Sequence, residues 1–206
     1  MATSYPDRTN ARGIWRITDI TRNIKTEGTW PDAGAKAIFA GGFDSSNAYT
    51  ANIDTIKMAS TGDATDFGDL ATDLLNMGSC ASSTRAIFLG GNQASPNAYN
   101  DETYYVHFAS EGNAAQFGTL TTVCQQATGA SNSTRGLAMG GTTDGAIHNV
   151  IDYITMSSVG NSTDFGDLTQ SRTSPNSMSS PTRAICAGGA APGESNVMDF
   201  VEFAST

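Results

Sequence analysis

Four times along the chain a short apolar run ends in a pair of glycines: AKAIFAGG (Ala35–Gly42), STRAIFLGG (Ser83–Gly91), STRGLAMGG (Ser133–Gly141) and PTRAICAGG (Pro181–Gly189). Runs this short suit strands better than helices, and strand side chains alternate between two faces. In the second copy Ile87 and Leu89 therefore share one face and Phe88 takes the other. Both faces are apolar, the pattern of a strand covered on both sides. A polar loop follows each glycine pair. An alternating apolar run comes next: NIDTIKMAS (Asn52–Ser60), TYYVHFAS (Thr103–Ser110), NVIDYITMSS (Asn149–Ser158) and NVMDFVEFAS (Asn196–Ser205). The turns STGDAT, SEGNAA and SVGNST then lead into DFGDL (Asp66–Leu70), QFGTL (Gln116–Leu120) and DFGDL (Asp164–Leu168). Their glycines supply positive φ, and Asp or Asn caps the turn locally.

The spacing is regular. The basic residue that opens each glycine-terminated run falls at Lys36, Arg85, Arg135 and Arg183, in steps of 49, 50 and 48 residues. Phe67, Phe117 and Phe165 each precede the next arginine by 18 residues. A fourth copy of that marker is Ile17-Thr18-Asp19-Ile20-Thr21, which matches Phe165-Gly166-Asp167-Leu168-Thr169 and lies 19 residues before Lys36. A four-stranded repeat of 40–50 residues is the signature of a propeller blade. The expected fold is all-β: one four-bladed β-propeller of roughly 49-residue, four-stranded repeats. The repeats span about 13–60, 61–110, 111–158 and 159–206, preceded by an arm at 1–12. Because the last unit ends with its alternating run, the N-terminal strand Ile17–Thr21 is expected to complete the blade of Asn196–Ser205, and four is expected to be the full count. A half-ring shared between two chains is the other arrangement the pattern permits. The glycine pair is expected to let neighbouring blades approach, since it carries no Cβ.

Charge is sparse, 15% of 206 residues, and the net charge is −9. Residues 1–36 hold six basic and four acidic residues; the remainder holds five basic and 16 acidic. An acidic body repels phosphate backbones, so no nucleic-acid partner is expected. Cys80, Cys124 and Cys186 are odd in number, far apart and without CxxC spacing, so they are expected as small buried residues and not as a disulfide framework or zinc site. No apolar run approaches the ~18 residues of a membrane span, and no membrane insertion is expected. The N-terminus MATSYPDRTN lacks the apolar core of a signal peptide.

A strand ending in Gly-Gly, a loop, a strand with Asp near its middle and an aromatic-led strand together resemble the kelch repeat of galactose-oxidase-like propellers. Phe67, Phe117 and Phe165 stand where kelch repeats usually carry Trp. TRAIFLGG, NVIDYITM and the NSTDFGDLT segment resemble still more the kelch-like repeats of structural proteins of marine bacteriophages, and GIWRITDI…GTWP resembles their lead-in. The resemblance covers about Gly13 to Thr206. It implies a virion structural protein, tail- or fibre-associated or decorating, made in the host cytoplasm. It also implies other virion proteins as partners, and a host surface glycan or outer-membrane protein as a further one. The count departs from the family, whose propellers usually have six or seven blades.

Lys36, Arg85, Arg135 and Arg183 are expected to form a pseudo-fourfold structural ring, each paired with a carboxylate such as Asp69 or Asp167 of the FGDL strand. The other reading of that ring is an anion site. His107 and His148 lie in different repeats without a metal-ligand or triad arrangement. The acidic loops Asp44–Asn52, Asn97–Glu102 and Asp144–Asn149 lack the spacing of a calcium loop. No cofactor and no enzymatic activity is expected. The rival class is a glycan-binding or glycan-degrading propeller using Asp101 and Glu102 as its carboxylates. The loops after the glycine pairs differ most between copies. They are expected on one rim, with Asn47, Tyr49, Asn97, Tyr99 and Asp101 as contacts for sugar or protein. The basic segment Met1–Arg12 is expected either as a disordered tail or as an arm that docks on a neighbouring subunit, a homo-oligomer included.

Overall fold

The computed structural model describes residues 36–58, 61–94 and 98–204. The arm at 1–12, the closing strand Ile17–Thr21 and Asn97 lie outside the described residues. Among those described, the fold is all-β, with no helix and only antiparallel pairing.

There are four principal sheets in chain order. The first holds β1 (Lys36–Ala40), β2 (Asn52–Lys57) and β3 (Thr65–Asp69). The second holds β4 (Leu74–Leu75), β5 (Gly78–Ala81), β6 (Arg85–Gln93), β7 (Ala98–His107) and β8 (Ala115–Thr119). The third is β9 (Thr128–Ser131), β10 (Arg135–Met139), β13 (Val150–Thr155) and β14 (Thr163–Asp167), with the two-stranded ribbon β11 (Thr142–Thr143) and β12 (Ala146–Ile147) rising from its glycine pair. The fourth is β15 (Asn176–Ser179), β16 (Arg183–Ala187) and β19 (Met198–Glu202), with the ribbon β17 (Ala190–Ala191) and β18 (Gly193–Glu194). The small-residue strand, the glycine-terminated strand and the alternating strand thus pair side by side. The FGD strand pairs with the alternating strand that precedes it in the chain, and a register shift recurs at Ile53/Asp54, Thr103/Tyr104 and Ile151/Asp152.

Consecutive sheets pack face to face, and three apolar clusters mark the three interfaces. Ile53, Phe67 and Leu70 of the first sheet meet Phe88, Tyr104 and Val106 of the second. Ile87, Leu89 and Phe117 of the second meet Ala138, Ile154 and Met156 of the third. Leu137, Ile151 and Leu168 of the third meet Ala184, Cys186 and Phe203 of the fourth. The alternation read in STRAIFLGG is realised, with Ile87 and Leu89 against the following sheet and Phe88 against the preceding one. Burying one such side chain stabilises by about 1.5–3 kcal/mol. The three cysteines are free and buried, as expected.

The glycine pair has two jobs. Its first members, Gly41, Gly90, Gly140 and Gly188, have φ of +66°, +60°, +69° and +69°. A Cβ on Gly41, Gly90 or Gly140 would lie within 2.6 Å of the carbonyl oxygen of Leu74, Cys124 or Arg172. The second members then donate N–H to those same carbonyls: Gly42 to Leu74, Gly91 to Cys124 and Gly141 to Arg172, at 2.9 Å each. So the pair docks each of the first three sheets onto the segment that leads into the next.

Between sheets the small-residue strands run beside one another and are stapled by hydroxyls. Ser131 Oγ donates to Ala81 O at 2.7 Å and accepts from Ala81 N at 3.1 Å. Ser177 Oγ donates to Gly129 O at 2.6 Å, and Ser179 Oγ donates to Ser131 O at 2.8 Å. Ser and Gly at these positions leave room for the close approach and supply the donors that two facing strand edges need.

Candidate functional site

The loops after the glycine pairs share an origin but not a build. The first is a compact turn. Asp44 Oδ1 accepts from Ser46 N at 2.8 Å, Ser46 Oγ at 2.7 Å and Ala48 N at 2.9 Å. The Ser46 hydroxyl and the two amides hold the Asp44 carboxyl below its usual value. Asn47 sits at the apex with φ +60°, a left-handed position that Asn tolerates. In the second sheet β6 and β7 extend into a long hairpin. In the third, Asp144-Gly145 makes a two-residue turn with φ of +47° and +82°, the type that matches strand twist. In the fourth, Ala190 pairs with Glu194 and Ala191 with Gly193 across Pro192.

The first two loops meet. Tyr49 pairs with Phe43 across the first loop, with their rings edge-to-face at 5.2 Å. The Tyr49 hydroxyl accepts from Asn92 Nδ2 at 3.5 Å, and Asn92 lies opposite Tyr99 in the β6–β7 register. The structure therefore gathers Tyr49, Asn92 and Tyr99. Asn92 was not singled out in the sequence, where it reads as one more loop residue; only the hairpin register shows it facing Tyr99. Asp101 lies two residues along β7 from Tyr99, and its carbonyl accepts from Leu120 N at 2.7 Å. Its neighbour Glu102 accepts from the Tyr104 hydroxyl and from Gln116 Nε2, the latter at 3.3 Å. Burial, reinforced by Glu102, pushes the Tyr104 phenol up to about 12. Among the described residues no group of three His, Cys, Asp or Glu is placed to hold a metal ion.

Each basic position lies against an aromatic ring, and two of the four, Lys36 and Arg183, also pair with a carboxylate as expected, though with neither Asp69 nor Asp167. Arg85 lies over the Tyr105 ring at 5.0 Å and donates from Nη1 to Met156 O, in the next sheet, at 3.2 Å. Arg135 repeats this with the Tyr153 ring at 5.0 Å and Phe203 O at 2.5 Å. Lys36 is 5.8 Å from the Phe67 ring centre and 3.8 Å from Glu111. Arg183 lies over Phe200 at 5.1 Å and pairs with Glu202 at 3.0 Å. The expected pairing with Asp69 and Asp167 fails on register. Lys36 lies opposite Lys57, and Asp69 opposite Asn52, at the two ends of β2. Five residues of strand separate them by about 17 Å. The guanidinium instead stacks on the aromatic face beside it, which it does well because it is planar and weakly hydrated.

Two carboxylates that the sequence left unassigned serve the interfaces. Asp152, buried, accepts from Thr121 N at 2.8 Å, Thr121 Oγ1 at 2.6 Å and Ser162 Oγ at 3.0 Å. Asp199 accepts from Thr169 Oγ1 at 2.6 Å and Thr169 N at 3.3 Å, and it pairs with Arg172. Arg172 is fully buried, and it also donates to Val197 O at 2.7 Å. In each case the threonine follows the FGD strand of one sheet and the aspartate lies on the alternating strand of the next. The interface between the first and second sheets carries neither: Ala71 stands at the threonine position after the first sheet's FGD strand, and Tyr104 at the aspartate position of the second. The signal was present in the repeat as an Asp–Thr pair that changes together.

No protein-family profile matches the chain, and no curated protein matches it.

Proposed function

We propose that this chain is a non-enzymatic structural component of a bacteriophage particle, tail- or fibre-associated or decorating. In this reading the four sheets are the blades of a closed kelch-like propeller, and the loops after the glycine pairs mediate assembly or attachment to the host surface. The observation that carries the display role is the contrast between constant strands and variable loops. The same strand pairings, glycine-pair docking and register shifts recur from sheet to sheet. The four loops on that frame are built in four ways. A constant frame with differing loops is how recognition surfaces are carried on rigid scaffolds. The phage assignment rests on the resemblance of TRAIFLGG, NVIDYITM and DFGDLT to phage structural repeats. An acidic body keeps copies apart in solution, and the basic arm Met1–Arg12 supplies the opposite charge for docking on other virion proteins. The Tyr49–Asn92–Tyr99 cluster is the first candidate contact for a surface glycan or an outer-membrane protein, since aromatic faces and an amide suit either.

Locating the chain decides the reading. Proteomics and density mapping of purified particles are expected to place it in the virion at stoichiometric copy number. Its presence only in the cytosol of infected cells overturns the structural role and reopens the glycan-degrading alternative. Release of reducing ends from host-type polysaccharide, lost on Glu102→Gln, would establish that alternative.

A further inference from the structure

The first and last sheets each expose one face that the inner sheets bury. Met178, Met198 and Phe200 of the fourth sheet are 66%, 71% and 63% exposed. Their counterparts on the third sheet, Ala130, Ile151 and Tyr153, pack into the cluster shared with the fourth. Phe39 and Met58 of the first sheet are 58% and 64% exposed. Their counterparts Ala138 and Met156, and Cys186 and Phe203, are buried against the sheet before them. The two end faces are thus the two halves of one more interface of the same kind.

Three further features of those ends point the same way. The outer edge of β2, β7 and β13 is taken by an FGD strand, whereas among the described residues β19 pairs only with β16. A Cβ on Gly188 would meet nothing closer than Ser195 O at 3.8 Å, where the three earlier copies meet a carbonyl of the next connecting segment. Asp54 stands at the register position of Asp152 and Asp199: it faces Phe39 as they face Ala138 and Cys186. Yet it is exposed, with no threonine of the described residues against it. The chain supplies the missing partner at the right distance. Ile17-Thr18-Asp19-Ile20-Thr21 matches Phe165–Thr169, so Thr21 takes the place of Thr169. From Thr21 to Lys36 is 15 residues, against 14 from Thr121 to Arg135 and from Thr169 to Arg183.

We propose that the segment Ile17–Thr21 of the same chain docks on the outer edge of β19 and that Thr21 latches onto Asp54, joining the two end faces. The latch rests on the closed-ring reading above, and it adds the residue pair that locks the ring. Asp54 receives the Thr21 amide and hydroxyl as Asp152 receives those of Thr121, and Arg183 reaches the carbonyl of Met58 as Arg85 reaches that of Met156.

The test places cysteines at both positions of the full chain, Thr21→Cys with Asp54→Cys, under mild oxidation. Peptide mass spectrometry on the monomer band is expected to find the 21–54 disulfide within one chain. The same bond found only in covalent dimers overturns the choice of occupant and assigns the edge to a second copy. No bond, with solution scattering giving the compact radius of a closed 206-residue domain, about 17 Å, overturns the latch and leaves the ring. No bond together with an elongated particle overturns both. A cysteine-free measurement runs beside it. Thr21→Val and Asp54→Ala are each expected to lower the unfolding midpoint, and the double variant no further than one of them. Additive losses overturn the contact.

Discussion

A left-handed φ favours glycine at the first position of all four glycine pairs, and at Gly41, Gly90 and Gly140 a carbonyl also leaves no space for Cβ. Gly140→Ala is therefore expected to cost about 2 kcal/mol or more, read as a shifted urea midpoint, because the strained backbone and the Arg172 carbonyl both resist it. Asp152 carries three hydrogen bonds from groups in two sheets. Asp152→Ala is expected to cost about 2–3 kcal/mol, with Asp152→Asn between it and the natural protein. The buried thiols carry a pH signature. Burial pushes Cys80 and Cys124 from 9.0 up to about 12 and Cys186 up to about 11. The folded chain thus keeps thiol protons that the unfolded chain gives up. The stability this contributes is complete below pH 9.0 and is lost as pH rises toward 12. Thermal midpoints measured from pH 8 to pH 11 are expected to fall above pH 9, less steeply for Cys80→Ala. The same thiols are expected to resist a disulfide reagent at neutral pH until the chain unfolds.

At the scale of the element, the segment after each FGD marker is tied down by a different set of side chains, and the second of the three holds Thr121, Cys124 and Asp152. At the first interface Leu74 and Tyr104 share an apolar cluster, with Ala71 exposed beside them; at the third Thr169, Arg172 and Asp199 form a polar set around the buried Arg172. Breaking the polar set at one member leaves a buried charge, so Arg172→Leu alone is expected to cost about 3–5 kcal/mol. Exchanging the whole set, Thr169→Ala, Arg172→Leu and Asp199→Tyr together, is expected to recover most of that loss, because the interface between the first and second sheets already holds this combination at the same register. Calorimetry of the single and triple variants separates the outcomes; a triple variant no more stable than the single would show the two sets are not equivalent. The small-residue strands obey the same logic of local fit. Their serines replace the bulk that would hold sheets apart with hydroxyls that bridge them.

The whole molecule differs from its inner sheets at its two ends. If the end faces are joined through the N-terminal strand, deleting Met1–Asn23 is expected to lower the unfolding midpoint and to speed hydrogen exchange along β19, measured by mass spectrometry. Equal midpoints and equal exchange would remove the case for closure. The same idea predicts that Gly188→Ala costs as much as Gly140→Ala, since joining the ends puts a carbonyl of the connecting segment against Gly188. An open arrangement gives Gly188→Ala only the backbone share of that cost, because its φ of +69° is the same.

Much of this architecture is local and repeats, so the sequence alone determined it. A double-faced strand such as STRAIFLGG needs a cover on each side whatever its partners, and DFGDL after an alternating run needs only a turn to pair with it. The burial of Cys186 follows from its place in such a strand, whereas Cys80 is buried on β5 and Cys124 on the segment between β8 and β9. What passes between sheets was decided by tertiary structure. Arg85 finds its acceptor 71 residues away and Arg135 finds its own 68 residues away, and no reading of neighbours along the chain selects a carbonyl over the carboxylates of Asp69 and Asp167. The meeting of Tyr49 with Asn92, and so with Tyr99, depends on how two loops of different length lean together. The burial of Arg172 beside Asp199 depends on acceptors brought together from separate segments of chain, the carbonyls of Gln170, Gly188 and Val197. Periodicity says which residues occupy equivalent places. Which groups touch across an interface is set by register and packing distance, and those exist only once the sheets have come together.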